Sequence, residues 1–328
     1  MPTNLPPEYF KAEERFRTAK TTKEKIASLE ELIRSVPKHK GTERLRGDLK
    51  RKLSKLKDAG HKKRGAERSV SPFVIDREGA AQVAVIGPPN SGKSSLVAAT
   101  TRAAPEVADF PFTTWMPTPG MLRYEKVGIQ LIDTPPLHRE HLDPEMLNLI
   151  RRADLALLVV DLQAGPLNQL EDMQALLEQQ NILPRALQTR FTDRQGLHSL
   201  PMLVAANKMD GSAQEEDLDI FRELAGLDWP ILGLSVLTGR NLDDLGRELF
   251  TRLALVRIYS KAPGKAPDFS EPFVLRAGST VEDFAARLHR DFAQRLKSAR
   301  VWGSGLFDGQ QVGRDHQLND GDVVELRL

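Results

Sequence analysis

Cysteine is absent from the 328 residues, which excludes disulfides and thiolate metal sites and allows a reducing compartment. No apolar run approaches the about 18 residues that a membrane-spanning helix needs. The opening M-P-T-N-L-P-P-E-Y-F also lacks the basic-then-apolar order of a secretory leader. The expectation is a soluble, cytoplasmic protein with no membrane contact, long enough for two or three domains. Net charge is only +2, but it is unevenly spread: residues 1–69 hold 20 Lys/Arg against 10 Asp/Glu, leaving 27 against 35 in the rest. A front segment this basic points to an acidic partner, with nucleic acid first among the candidates.

In that segment Ile26, Leu29, Leu32 and Ile33 recur at helical spacing. Pro37 and Gly41 interrupt the pattern before a second helix over Leu45 to Leu56, so a helical hairpin is expected. The basic run Lys50-Arg51-Lys52, Lys55, Lys57 and Lys62-Lys63-Arg64 follows, then a polar linker from Gly65 to Ser71. Two readings stand: a solvated helix face, or neutralisation of RNA phosphates, which needs many cations together. No aromatics are interleaved for base stacking, so RNA would be met through backbone and shape.

The stretch Val83 to Leu96, V-A-V-I-G-P-P-N-S-G-K-S-S-L, reads as a buried strand, a glycine-bounded loop and a helix start, the layout of a phosphate-binding P-loop. Gly87 and Gly92 let the backbone curl so that N–H groups of Gly87, Pro88-Pro89-Asn90, Ser91, Gly92, Lys93, Ser94 and Ser95 (the prolines excepted) surround phosphate oxygens. Lys93 is expected on the β/γ-phosphates and Ser94 on Mg²⁺. In the loop Ala108 to Trp115, Thr114, with Thr113 the close second, would complete the Mg²⁺ shell in the triphosphate state. Asp133 ends an apolar strand, as a Walker-B-type Mg²⁺ site requires.

Strands Gly120 to Tyr124, Val127 to Ile132, Leu155 to Val160, Met202 to Ala206 and Ile231 to Leu234 alternate with helices Pro144 to Arg152, Leu167 to Gln180 and Glu216 to Leu224. That order predicts an α/β domain with a mostly parallel, doubly wound sheet. After its last strands come Asn207-Lys208-Met209-Asp210 and Ser235-Val236. A carboxylate at Asp210 pairs with the ring N–H and exocyclic amine of guanine and leaves adenine unpaired. Asn207 and Lys208 would brace the loops and pack the base, while Ser235 and Val236 would close the pocket. Beyond the turn-rich Ala262 to Pro267, strand, helix (Val281 to Leu296), strand (Arg300 to Trp302) and final strand (Asp322 to Leu328) read as a small β-grasp-like interaction module.

With G-P-P-N-S-G-K-S-S-L, F-P-F-T-T, N-K-M-D, L-V-R-I-Y-S-K-A-P-G-K-A-P-D-F, V-L-R-A-G-S-T-V-E-D-F, V-W-G and V-G-R-D-H-Q-L-N-D-G-D-V-V in place, the chain resembles the developmentally regulated (DRG) and Obg-like GTPases over nearly its whole length. The resemblance implies a basic hairpin (1–69), a P-loop GTPase domain (70–260) and a β-grasp TGS domain (261–328). It also implies slow GTP hydrolysis to GDP with Mg²⁺, ribosome or translation-linked partners, and an unidentified protein partner for the TGS domain. Three features depart from the family: a subdomain after the third GTPase motif and a glycine-rich stretch before the P-loop strand are missing, and D-x-x-G ends as Asp133-Thr134-Pro135-Pro136. Pro136 has no N–H to offer the γ-phosphate. Leu137 stands where many GTPases place a water-orienting glutamine. His138 reads as an exposed loop histidine rather than a base. Asn90 stands where potassium-dependent relatives hold K⁺ against the phosphates, and either holds K⁺ here or braces the loop. Lys93, Asn90 and Thr114 are the expected catalytic set. The rival is a guanine-nucleotide-dependent binding protein or scaffold with negligible hydrolysis.

Overall fold

The computed structural model describes residues 11, 15–16, 22–36, 49–53, 71, 73–101, 116–137, 142–185, 187, 196–226, 229–303 and 307–328. The chain divides into two units, Met1–Ser71 and Pro72–Leu328.

In the first unit, helix α1 (Thr22–Ser35) and a helical turn at 49–53 share a small core. Leu29, Leu32, Val36 and Leu49 are buried there, with Phe16, Ile33 and Leu53 packed against them. The helical spacing of those apolar residues produces this stripe. The side chain of Ile26, the break at Pro37 to Gly41 and the basic run beyond residue 53 lie outside the described residues.

The second unit is built on β1 (Ala81–Ile86), β2 (Thr118–Tyr124), β3 (Val127–Asp133), β4 (Leu155–Asp161), β7 (Met202–Asn207) and β8 (Ile231–Gly233). They form one sheet in the order β2-β3-β1-β4-β7-β8, parallel except for the β2–β3 hairpin. β1, β4 and β7 are apolar and buried almost throughout, as strands covered on both faces must be. Alternation then divides the core: Ala84, Ile86 and Leu158 join a cluster on one face, Val83, Val85 and Leu157 a cluster on the other. Helices α2 (Lys93–Thr100), α3 (Pro144–Arg152), α4 (Pro166–Gln179), α5 (Ala213–Ala225) and α6 (Leu242–Arg252) supply the covering layers. α3 starts where sequence chemistry says it should: Pro144 occupies its first turn, and the Asp143 carboxylate accepts from Glu145 N at 2.8 Å.

Between Asp133 and Asn207 lie α3, β4 and α4, plus a short parallel pair that the sequence pattern did not announce, β5 (Ile182–Pro184) with β6 (His198–Leu200). α6 was likewise not anticipated.

A second sheet runs β10-β9-β13-β11-β12, from β9 (Leu255–Ser260), β10 (Phe273–Arg276), β11 (Ser298–Trp302), β12 (Gln310–Val312) and β13 (Val323–Arg327). β9 pairs antiparallel with β10 and parallel with β13. The expected boundary at 260/261 is therefore one strand late. Leu255–Ser260 turns Val256 and Ile258 into the core of the C-terminal sheet and belongs to it. The single helix expected over Val281 to Leu296 is two, α7 (Val281–Leu288) and α8 (Arg290–Arg295), because His289 is extended (φ −164, ψ 141) and caps the second through Nδ1.

The two sheets meet at the end of the first one opposite the P-loop. Asp154, at the foot of β4, accepts from Arg77 (3.2 Å), from Arg276 of β10 (2.7 Å) and from Gln82 N (2.8 Å). At the β2–β3 turn, Glu125 pairs with Arg257 of β9, and Lys126 Nζ donates to Phe269 O (2.8 Å). Arg257 also meets Asp320 (2.5 Å) and lies 5.1 Å over the Phe250 ring.

Candidate nucleotide-binding site

Every expected site residue that is described lies at the carboxyl ends of β1, β3, β7 and β8, where parallel sheets place ligands. At the first of these ends Gly87 has φ +147, and a Cβ there would come within 2.3 Å of Val159 O. Gly92 has φ +91, and a Cβ would come within 2.2 Å of Asn207 Nδ2. Both glycines are thus required by conformation and by space. The loop wraps its lysine: Lys93 Nζ donates to Gly87 O (3.1 Å) and Pro88 O (2.7 Å) and is only 6% exposed. Ser91 faces inward, donating to Pro88 O (3.0 Å), so it shapes the loop.

A cavity of about 630 Å³ opens in front of the loop, lined on one side by Asn90, Lys93 and Ser94 and on the other by Asp133, Pro135 and Pro136. Burial pushes the Lys93 ammonium down to about 8, against the pull of the Asp133 charge. Burial raises Asp133, and the Ser94 hydroxyl and the Lys93 charge hold it back. The Oδ1 atom of Asp133 is buried and has no hydrogen-bond partner among the described residues. A buried carboxylate oxygen without a partner beside a serine hydroxyl is an oxygen donor set of the kind that suits a hard cation such as Mg²⁺. The Asn90 side chain (φ 58) forms no hydrogen bond among the described residues and lines the cavity.

Residues 134–137, the described residues directly after β3, offer no backbone donor to that cavity. Thr134 N and Oγ1 both donate to Val85 O (3.3 and 2.8 Å), Pro135 and Pro136 have no N–H, and Leu137 N donates to Gly87 O (3.4 Å). Leu137 is 1% exposed and sits in the core with Met146 and Ile150. At the sequence position of the glutamine, it is therefore turned away from the cavity. Thr113, Thr114 and His138 lie outside the described residues.

At the other end of the site, Asn207 joins three loops. Its Nδ2 donates to Ser91 O of the P-loop (3.0 Å), and its Oδ1 accepts from Val236 N (3.2 Å). Asp210 Oδ1 accepts from Ser235 Oγ (2.5 Å), and Ser235 Oγ in turn accepts from Thr238 N (3.0 Å). Two residues absent from the sequence-derived set join this group. Asp161 pairs with Lys208 Nζ (2.5 Å), and Gln163 Nε2 donates to Lys208 O (2.8 Å) and Asp210 Oδ2 (3.2 Å). The signal for Asp161 was present: it closes apolar β4 as Asp133 closes β3. Gln163 had none.

Residues 82–192 match the family described as 50S ribosome-binding GTPase, and residues 256–327 match the TGS domain. A GTP-binding protein of Methanocaldococcus jannaschii, MJ1326, is 30% identical over 92% of this chain and 92% of its own. That alignment runs over 360 positions, more than the 328 residues here, so the relative carries insertions. Ribosome-interacting GTPase 1 of Saccharomyces cerevisiae is 27% identical over 93% of this chain and 99% of its own. Developmentally-regulated G-protein 3 of Arabidopsis thaliana is 28% identical over 93% and 98%. Among solved structures, the YchF GTPase of Schizosaccharomyces pombe shares the fold at TM-score 0.54 and 12% identity, covering 77% of this chain and 99% of that one.

Proposed function

The chain belongs to the DRG and Obg-like family of GTP-binding proteins with a C-terminal TGS domain, and on that premise we propose that it is a slow, Mg²⁺-dependent GTPase acting as a ribosome- or translation-associated switch in the cytoplasm. One observation carries the hydrolase reading: Lys93, Ser94 and Asp133 line one cavity, and Asn207 ties the guanine-selecting loop to that same P-loop. Ser94 and Asp133, with Thr114, would hold Mg²⁺, which supplies charge neutralisation on the phosphates. Lys93 gathers the charge that builds on the β/γ-bridge as water attacks in line. Asp210 and Ser235 fix the base, and Lys208 and Val236 flank it.

Residues 134–137 give the γ-phosphate no N–H, and a cation beside it would supply positive charge there. Asn90, whose side chain is free of the loop, is the residue that would hold K⁺ there. Single-turnover GTP hydrolysis should then run about tenfold or more faster in K⁺ than in Na⁺, with the difference abolished by Asn90→Ala. A K⁺/Na⁺ ratio near one removes the potassium role. The same run of missing donors supports the second reading, a guanine-nucleotide-dependent scaffold. Phosphate release no faster than background in either salt would establish that reading instead.

The ribosome link rests on the charge of residues 1–69 and on the likeness to the ribosome-interacting GTPase of yeast. Deleting residues 1–66 should abolish co-sedimentation with ribosomes at low salt, and added salt should weaken the full chain steeply. Unchanged sedimentation after the deletion would remove the RNA role of the hairpin. The TGS domain is assigned to a protein partner.

A further inference from the structure

The loop leaving β4 grips the base-selecting loop from outside the nucleotide motifs. Asp161 holds both ends of a short relay: its Oδ1 accepts from Gln163 N (3.0 Å) and its Oδ2 from Lys208 Nζ (2.5 Å). Its own N–H is fixed by Gln169 Oε1 (3.0 Å). Gln163 is thereby placed so that one amide nitrogen reaches both Lys208 O (2.8 Å) and Asp210 Oδ2 (3.2 Å). Lys208 has a positive φ of 68, a conformation that a lysine adopts only when its surroundings hold it there. Asp210 is bonded on its other oxygen to Ser235, so the carboxylate is held at both oxygens. With Ser235 alone it would pivot about that single bond.

We propose that Gln163 is a positioning residue for guanine selection, setting the plane of the Asp210 carboxylate. The proposal rests on the guanine-pocket reading above. A carboxylate oxygen carries two acceptor positions, so Gln163 can occupy one on Oδ2 and leave the other for the guanine N–H. The plane matters because guanine presents two donors, N1–H and the 2-amino group, and both oxygens must lie in the plane of the base to meet them. Gln163 is exposed, and so its replacement leaves the core intact.

The test measures equilibrium affinity for GDP and for IDP, which lacks the 2-amino group, by calorimetry on the full chain. Diphosphates keep γ-phosphate chemistry out of the measurement. Gln163→Leu should lower the GDP-over-IDP preference about tenfold with an unchanged melting temperature. Gln163→Glu places a second carboxylate against Asp210. Its GDP affinity relative to wild type should be at least about tenfold weaker at pH 8 and should recover near pH 5, where the new carboxyl is protonated and donates again. A wild-type GDP/IDP ratio in Gln163→Leu, or equal losses for both nucleotides with no pH dependence in Gln163→Glu, would overturn the proposal. Wild-type protein that fails to prefer GDP over ADP would overturn the pocket reading, and the positioning role with it.

Discussion

Asp210→Asn is expected to weaken GTP binding by roughly two to four orders of magnitude and to raise the affinity for xanthosine triphosphate. A carboxylate accepts from both N1–H and the 2-amino group, and hydrogen bonds to a charged acceptor contribute about 1.5–3 kcal/mol each. Two of them correspond to roughly 10²- to 10⁴-fold in affinity. Asparagine keeps one acceptor and sets an NH₂ against a guanine donor, whereas xanthine carries a carbonyl at position 2 to receive it. The surroundings can hold the amide: Gln163 Nε2 still donates to the one remaining oxygen, and the Ser235 hydroxyl, which now donates to Asp210, can turn to accept from the new NH₂. Competition between the two triphosphates for wild type and variant reads the result. An unchanged preference for GTP would mean that the base lies elsewhere.

Lys93→Met should reduce single-turnover GTP hydrolysis by roughly 10²- to 10³-fold, the loss typical of one preorganised charge-stabilising donor. The same substitution should make the nucleotide-free protein more stable at pH 7. Lys93 is buried, and its ammonium titrates near 8 in the fold against 10.5 unfolded, so holding it charged at neutral pH costs stability. That cost is already net of the Asp133 attraction, and the variant also gives up the bonds from Lys93 to Gly87 O and Pro88 O, leaving a net gain of about 1–2 kcal/mol. In wild type the fold sheds this proton above pH 8 while the unfolded chain keeps it up to about 10.5, so stability should rise with pH across that window. The variant should lack the rise. Thermal melts from pH 7 to 10 check both statements. A variant that melts lower than wild type at pH 7, with no difference in pH dependence, would show that Lys93 is not strained by burial.

Both substitutions fall on residues that the sequence made legible, for a physical reason. The P-loop is a local backbone device in which contiguous glycines, lysine and serine carry the whole signal. Asn207, Asp210 and Ser235 were readable because each follows an apolar strand. Side chains recruited across loops were not. Gln163 reaches Asp210 over 47 positions of sequence, and no periodicity encodes that contact. Counting from Asp133 locates Leu137 in sequence but not its direction in space, because counting presumes a chain that continues along the cavity. Instead Pro135-Pro136 redirects it, the Leu137 amide returns to Gly87 O, and its side chain joins Ile150 in the core. The β9 boundary was missed because an alternating apolar strand carries no label for the sheet it will join. Only its pairing with β10 and β13 decides that.

The β2–β3 hairpin runs the full length of the first sheet's edge. At about 3.4 Å per residue, its seven-residue strands span some 20 Å or more. Thr118 and Asp133 stand at the cavity end, and Glu125 and Lys126 hold the C-terminal sheet at the other. The hairpin is thus a tie rod between the two sheets, with the Asp133 carboxylate at one end and the Arg257 clasp at the other. Thermodynamic reciprocity then applies to it: whatever occupancy of the cavity does to the grip on Arg257, release of that grip does equally to occupancy of the cavity.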